Sequence, residues 1–140
     1  MIVIDPAGRT LLFRGSDPYR PEAGTWWFTP GGGLQTGETV HEAARRELRE
    51  ETGLLVDVVG TPVHVRRTRF EFEGSTYDQE EHFFVAAVDV PRLDDSGWTD
   101  VERRVIVEHR WWTLGELRTT SQTVYPEELP GLLTELLAGN

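Results

Sequence analysis

The 140 residues contain no cysteine. They contain no lysine either, because all 14 residues of the lysine and arginine class are arginine. Without cysteine the chain has no disulfide, no thiolate nucleophile and no Cys-ligated zinc or iron–sulfur cluster. Without lysine it has no Schiff-base chemistry and no phosphate-binding lysine of the P-loop kind.

Long apolar runs and a basic surface are missing as well. The longest near-continuous apolar stretch, residues 83–88, is far shorter than the roughly 20 residues of a transmembrane helix. The sequence opens on Met1 and apolar residues without the basic segment of a signal peptide, so we expect a cytoplasmic protein without a membrane partner. The net charge of -10 argues against DNA binding, but it allows a small anionic substrate whose contact is mediated by divalent cations.

Apolar periodicity and turn residues predict one α+β or mixed α/β layered domain over residues 1–140. The predicted strands cover residues 2–4, 10–13, 26–29, 54–59, 63–72, 77–90 and 105–113. The predicted helices cover residues 39–52, 114–117 and 127–137, with Gly53 ending the first of them. Residues 15–24 and 91–100 are predicted to be loops.

The helix predicted over residues 39–52 carries acidic side chains on its apolar face. At 100° per residue, Glu47 and Glu51 fall within the apolar stripe and Glu50 falls at its edge, whereas Arg46 lies on the solvent side. Carboxylates about 6 Å apart repel by about 3 kcal/mol at an effective dielectric near 20, and burial adds a desolvation cost. An ordinary surface helix with i,i+4 ion pairs does not explain this placement. Oxygen ligands without His or Cys instead predict a hard divalent cation, Mg²⁺ or Mn²⁺.

Residues 32–54, which read GGLQTGETVHEAARRELREETGL, resemble the Nudix box. Every position that the box specifies is matched, from Gly32 and Glu38 through Arg46 to Gly53 and Leu54. The resemblance implies a Nudix α/β/α sandwich with a mixed central sheet. It also implies a hydrolase that uses Mg²⁺ or Mn²⁺ to cleave the pyrophosphate linkage of a nucleoside diphosphate joined to another moiety.

The resemblance further assigns roles to residues of the box. It implies that Glu47, Glu50 and Glu51 are metal ligands, that a backbone carbonyl near Gly32 also ligates metal, and that Arg46 orients the glutamates. Glu38 would support the junction between the loop and the helix.

A carboxylate must also accept a proton from the attacking water. The candidates are Glu50, then Glu102, then Glu108. We place Glu102 in the loop that enters the strand over residues 105–113, where it is either the catalytic base or an ordinary solvated charge.

Substrate contacts are predicted from arginines and aromatic residues elsewhere. Arg67 and Arg69 share one face of a strand and form either a phosphate clamp or a solvated face with acidic neighbours. Phe70 or Tyr77 would stack on a base. Of the two adjacent tryptophans 26 and 27, one should be in the core and the other in the substrate cleft, and we assign Trp27 to the cleft.

Two alternatives to the hydrolase come from other functional classes. The first is a nucleotide-binding sensor of the Nudix fold that does not cleave its ligand efficiently, and the second is a metal-dependent nuclease, which conflicts with the net charge. Four substrate classes are open: nucleoside triphosphates, nucleotide sugars, ADP-ribose and dinucleoside polyphosphates. Many relatives are homodimers, so a homodimer is also an expected assembly.

Overall fold

The computed structural model describes residues 1–31, 36–53, 62–89 and 96–138. Its strands are β1 (Ile2–Ile4), β2 (Thr10–Ser16), β3 (Thr25–Phe28), β4 (His64–Phe72), β5 (Ser75–Phe83), β6 (Val85–Ala87), β7 (Ile106–Trp112) and β8 (Val124–Tyr125). Its helices are α1 (Val40–Thr52), α2 (Asp100–Val105), α3 (Leu114–Thr119) and α4 (Leu129–Ala138), with a short 3₁₀ turn at Pro21–Ala23. Within these ranges, every helix falls short of the length and apolar character that crossing a bilayer demands.

A mixed sheet forms the centre of the fold, with strand order β6-β1-β2-β3-β8 and with β7 also paired to β2. The β6–β1 and β3–β8 pairs are parallel, whereas β2 is antiparallel to β1, β3 and β7. The strands predicted over residues 2–4 and 10–13 are confirmed, and β1 and β2 form an antiparallel hairpin. Its turn is held by the buried Asp5 carboxylate, which accepts hydrogen bonds from the backbone N–H groups of Ala7 and Arg9.

Helices cover both faces of this sheet. Successive residues of its strands point to opposite sides, so each strand contributes side chains to both layers of the core. Val3 and Leu11 belong to the core cluster that contains Leu48 of α1, whereas their neighbours Ile2 and Leu12 belong to the cluster that contains α4. The second cluster comprises Ile2, Leu12, Trp27, Trp112, Leu117, Leu129 and Leu133. The predicted α/β/α sandwich is therefore confirmed.

Helix α1 begins and ends at the residues that the sequence indicates. The Thr39 hydroxyl accepts a hydrogen bond from Glu42 N–H, and the Glu42 carboxylate accepts one from Thr39 N–H, so the two form a capping box. At the other end, Gly53 has a left-handed φ of 73° and donates its N–H to the Arg49 carbonyl. Both ends are thus fixed by local bonds, and this sets which helix positions face the sheet.

The ribbon formed by β4 and β5 is a separate two-stranded sheet. Glu73 and Gly74 connect the strands with φ values of 49° and 78°, the two left-handed positions of a tight hairpin turn. The strand predicted over residues 77–90 is in fact divided: β5 ends at Phe83, Phe84 is buried, and β6 pairs with β1 in the central sheet. The chain changes sheets at Phe84, so one continuous strand is not formed.

Two other predictions have different outcomes. The strand predicted over residues 54–59 lies outside the described residues. Of the predicted loop 91–100, residues 91–95 also lie outside the described residues. Thr99 caps helix α2, so Glu102 lies in a helix and not in a loop. Thr99 and Glu102 form a capping box, a threonine followed three residues later by glutamate, which is a readable sequence signal for a helix start.

We expect Leu48→Ala to lower the free energy of unfolding by about 2–5 kcal/mol, because Leu48 is 1% exposed and its loss leaves a cavity between α1 and the sheet. Urea unfolding followed by circular dichroism measures the change. Arg45→Ala on the exposed side of the same helix is the matched control and should stay within about 0.5 kcal/mol of the parent. Equal losses in both variants would contradict this packing.

Candidate metal and substrate site

Three carboxylates from two helices meet at one point beside the sheet. Glu47 and Glu51 lie one turn apart on α1, and Glu102 lies in the first turn of α2. One oxygen from each of the three lies within 4.8 Å of the others. We call Glu47, Glu51 and Glu102 the acid cluster. Its existence means that two segments distant in sequence deliver like charges to one place.

Glu51 is the most deeply placed member of the acid cluster, with 4% of its surface exposed. Its Oε2 accepts a hydrogen bond of 3.0 Å from Gly31 N–H, which orients the carboxylate. Burial raises the pKa of Glu51 well above its usual range, and the neighbouring charges of Glu102 and Glu47 raise it further, against the opposing effect of the Gly31 N–H. The ionised form is therefore unfavourable until a cation reaches the carboxylate.

The groups around the acid cluster fit a hard divalent cation. All three donors are carboxylate oxygens, the ligand type that Mg²⁺ and Mn²⁺ prefer. The nearby amino group of Met1 donates a 2.7 Å hydrogen bond to the Pro30 carbonyl. Burial lowers the pKa of this amino group to about 6, despite the opposing charges of Glu51 and Glu81, so it is mostly uncharged at neutral pH and does not neutralise the cluster.

Arg46 holds the edge of the acid cluster. Its guanidinium donates to both oxygens of Glu38 at 2.7 and 3.0 Å, to Glu47 at 2.7 Å and to Glu50 at 3.2 Å. The hydrogen bonds to Glu38 are the largest cause that raises the pKa of Arg46 further above its usual range. The prediction that Arg46 lies on the solvent side is wrong: 14% of its side chain is exposed, because these three carboxylates enclose it.

Other predicted acidic groups lie outside the acid cluster. Glu50 has 35% of its side chain exposed and pairs with Arg46. Glu108 lies on β7 and forms an ion pair with Arg14 at 2.8 Å. Gly32, whose carbonyl is a predicted metal ligand, lies outside the described residues. The structure therefore brings Glu47, Glu51 and Glu102 together, and it places Glu50 beside them through Arg46.

A short segment before α2 docks on the end of α1 and fixes the position of Glu102. The Trp98 indole N–H donates a 2.6 Å hydrogen bond to the Glu51 carbonyl, and its ring meets Phe13 edge-on at 5.8 Å. Gly97 lies so close to α1 that an added Cβ would be 2.7 Å from the Glu50 carbonyl oxygen. Only glycine fits this approach without a backbone shift, and the sequence gives no local sign that Trp98 has this role.

A cavity of about 1000 Å³ is lined by the acid cluster, by residues of the central sheet and by residues of the ribbon. Its lining includes all three glutamates, the aromatic rings of Trp26, Phe28 and Tyr125, and the side chains of Arg66, Arg69 and Glu81. A volume of this size accommodates a nucleotide-sized ligand. The acid cluster therefore lies in the wall of a cavity that is large enough for such a ligand.

Several predicted substrate contacts are corrected by this geometry. Trp27 is 3% exposed in the core, where its indole N–H donates to Gln122, and the neighbouring Trp26 lines the cavity instead. Arg67 is exposed on the other face of β4 from the half-buried Arg66, which lines the cavity.

The remaining predicted contacts have mixed positions. Arg69 does line the cavity, although it is exposed. Tyr77 is 38% exposed on β5. The side chain of Phe70 lies outside the described part of the structure.

Comparison with known proteins agrees with this architecture. The sequence matches the family described as the NUDIX domain over residues 1–131. It is 43% identical over 86 residues to an oxidized purine nucleoside triphosphate hydrolase of Danio rerio. The aligned residues make up 61% of this chain and 51% of that protein. The mouse protein of the same name is 43% identical over 60 residues, 43% of this chain and 36% of that protein. The matches thus span about half or less of these curated relatives.

Solved structures show the same fold. A crystal structure of a hydrolase of the NUDIX family from Clostridium perfringens superposes with a TM-score of 0.71 over 98% of this chain and 92% of that chain. Only 15% of the sequence is identical, so this likeness concerns the fold alone.

We expect Glu51→Gln to raise the melting temperature of the metal-free protein at pH 7 to 8. A carboxyl whose pKa is raised by folding binds more protons in the folded state, so its effect on stability becomes less favourable as pH rises from about 4.5 through the folded pKa. Glutamine removes that penalty, and each kcal/mol gained corresponds to about 2–5 °C for this chain length. Thermal unfolding in a chelator at pH 5 and pH 8 measures the difference, which should shrink at pH 5.

The exposed Glu135→Gln on α4 is the control for this measurement, with little expected change at either pH. A Glu51→Gln variant that melts below the parent by the same amount at both pH values would show that Glu51 imposes no charge penalty on the fold.

We expect Trp98→Phe to weaken Mn²⁺ binding by about tenfold, because the hydrogen bond that docks α2 on Glu51 is lost while an aromatic ring remains. Isothermal titration calorimetry measures the affinity. Trp111→Phe is the matched control, since Trp111 is a partly buried tryptophan against the same core cluster. If both variants bound Mn²⁺ as the parent does, Trp98 would have no part in positioning Glu102.

Proposed function

The chain belongs to the NUDIX domain family, and from that premise we propose that it hydrolyses a phosphoanhydride bond of a nucleoside diphosphate derivative with the help of Mg²⁺ or Mn²⁺. The observation that carries this proposal is the acid cluster, in which three carboxylate oxygens lie within 4.8 Å of one another in the wall of a nucleotide-sized cavity. Without a bound cation the acid cluster would destabilise the fold, because its charges repel and Glu51 is desolvated.

Glu47, Glu51 and Glu102 would hold the metal, and their charge suits more than one divalent ion. When bound, such ions neutralise phosphate oxygens, stabilise the leaving group and acidify a coordinated water. The protein contributes the rest through position. Gly31 N–H fixes one oxygen of Glu51, and Arg46 holds Glu47 from the side. Preorganised ligands of this kind need little rearrangement when substrate and metal arrive.

The proton of the attacking water must reach a carboxylate, and the structure favours two of the predicted candidates over the third. Glu102 lies in the acid cluster, with one oxygen accepting a 2.8 Å hydrogen bond from Thr99 N–H. Glu50 lies next to the cluster, held at 3.2 Å by Arg46 and partly open to solvent. Glu108 is paired with Arg14 on β7 and is the least suitable of the three.

The substrate class follows from the cavity and from the relatives taken together. A cavity of about 1000 Å³ fits a mononucleotide with its phosphates, and the net charge of -10 disfavours a long nucleic-acid backbone. The relatives from Danio rerio and mouse are named for hydrolysis of oxidized purine nucleoside triphosphates. We therefore place nucleoside triphosphates first among the open substrate classes. The expected homodimer stays a prediction.

We expect metal-dependent release of phosphate or pyrophosphate from at least one member of a substrate panel, and loss of about 10²-fold or more in kcat/KM in Glu51→Gln. The panel comprises nucleoside triphosphates, a nucleotide sugar, ADP-ribose and a dinucleoside polyphosphate, each with Mg²⁺, with Mn²⁺ and with chelator. Glu135→Gln again serves as the control and should keep the parent rate. Tight, metal-dependent nucleotide binding without turnover would establish the sensor instead.

Glu50→Gln and Glu102→Gln separate the base from the ligand in the same assay. Loss of the proton acceptor should remove the acid limb of the pH–rate profile and lower kcat by about 10²–10⁴-fold at saturating metal. Loss of a ligand should instead raise the Mn²⁺ concentration that is needed for half-maximal rate. Activity of both variants equal to that of the parent would exclude both residues from either role.

A further inference from the structure

One charged pair that lines the cavity is not part of the acid cluster. Arg66 of β4 and Glu81 of β5 stand directly opposite each other in the ribbon, so their side chains share a face. Arg66 Nη2 and Glu81 Oε1 are 3.3 Å apart, and both residues line the cavity that contains the acid cluster. The guanidinium also lies 5.9 Å from the ring centroid of Tyr125, which steadies it from the side.

This pair has hydrogen-bonding capacity left over. Only 20% of the Arg66 side chain and 30% of the Glu81 side chain are exposed. The guanidinium of Arg66 has five N–H donors, and its hydrogen bond to Glu81 uses one on Nη2. The carboxylate of Glu81 can accept more hydrogen bonds than the one from Arg66. A donor and an acceptor, partly shielded from water and side by side, therefore face the same cavity.

The charge balance of the pair selects the kind of group that it can recognise. A phosphate beside Arg66 would also lie beside the Glu81 carboxylate, and the two anions would repel. A neutral planar edge that offers an acceptor next to donors satisfies both side chains at once. Trp26 and Phe28, which line the same cavity, offer aromatic surfaces for a flat ring.

Among nucleobases, a 6-oxopurine of the guanine type has this edge. Its O6 accepts hydrogen bonds from an arginine, and its N1–H and N2–H groups donate in parallel to the two oxygens of a carboxylate. Adenine presents a donor at N6 and an unprotonated acceptor at N1, and that acceptor would face the Glu81 carboxylate. The same pair that attracts guanine therefore rejects adenine.

We propose that Arg66 and Glu81 form a base-recognition site that selects guanine-type nucleotides, a specificity that rests on the proposed nucleotide hydrolysis and defines its substrate more narrowly. Arg66 donates to the 6-oxo group, and Glu81 accepts from the N1 and N2 donors. The phosphates then extend toward the acid cluster in the same cavity.

The test compares GTP with ATP as substrates and GMP with AMP as ligands. We expect kcat/KM for GTP to exceed that for ATP by at least tenfold, and GMP to bind at least tenfold more tightly than AMP in titration calorimetry. Binding of the monophosphates needs no turnover, so it reports on the base site alone.

Two variants change the recognition chemistry in different ways. Arg66→Met should reduce the preference for guanine to about threefold or less. Glu81→Gln should shift the preference toward adenine, because a glutamine amide can donate to N1 or N7 and accept from N6. Arg67→Met is the matched control, an arginine on the same strand whose side chain is exposed on the other face, and it should keep the parent's preference. Circular dichroism and melting temperature verify that each variant is folded.

The outcomes separate this inference from the proposed function. Hydrolysis of GTP and ATP at similar kcat/KM, with similar binding of GMP and AMP, overturns the base-recognition site. The same result still supports the proposed hydrolase activity. A preference for GMP over AMP without hydrolysis of any substrate supports the base site and contradicts the hydrolase. An equal loss of the guanine preference in Arg66→Met and Arg67→Met overturns the inference. A folded Glu81→Gln variant that keeps the full preference for guanine also overturns it.

Discussion

The mutual repulsion of three carboxylates is the physical constraint on which the site depends. Glu47, Glu51 and Glu102 are brought within 4.8 Å of one another, and Glu51 is almost fully desolvated. No lysine exists in the chain to neutralise them, and the nearby arginine, Arg46, is shared with Glu38 and Glu50. The rest of the fold must supply enough packing energy to hold this arrangement.

The stabilising contacts lie along helix α1 and at its two ends. Capping bonds at Thr39 and Gly53 fix the helix, and Leu48 anchors it in the core between the two acidic positions. Trp98 and Gly97 then join the second helix to the last turn of the first by a 2.6 Å hydrogen bond and a close backbone approach. The unfavourable charges are thus flanked by well-packed groups, as expected where function imposes a local cost on stability.

Helix α1 and the roles of its faces can be predicted from the sequence because its own apolar residues mark the buried side. Glu47 and Glu51 could be placed by angle alone, since on the helical wheel both fall between the buried residues Ala43 and Leu48. The strand β4 has no such marker. Arginines occupy the adjacent positions 66 and 67, so the sequence does not determine that Arg66, and not Arg67, faces the cavity. A shift of one residue would exchange the two.

The tryptophans of β3 show the same limitation. Trp26 and Trp27 alternate sides of the sheet, but only the packing of α3 and α4 against one face decides that Trp27 is the core residue. The position of Glu102 depends on a contact between segments nearly fifty residues apart, which no local pattern contains. Its helix start was nevertheless readable, because the Thr99 capping box has the same form as those at Thr39 and Thr113.

The two charged groups in the cavity differ in a way that suits the two parts of a nucleotide. The acid cluster carries excess negative charge, so in the proposed function it would attract phosphates only through bound cations. The Arg66–Glu81 pair is neutral overall, so it contributes direction through hydrogen bonds more than attraction through charge. A ligand bound by both must carry phosphates at one end and a neutral hydrogen-bonding ring at the other. In the proposed function, that combination would let a protein with a net charge of -10 select an anionic nucleotide.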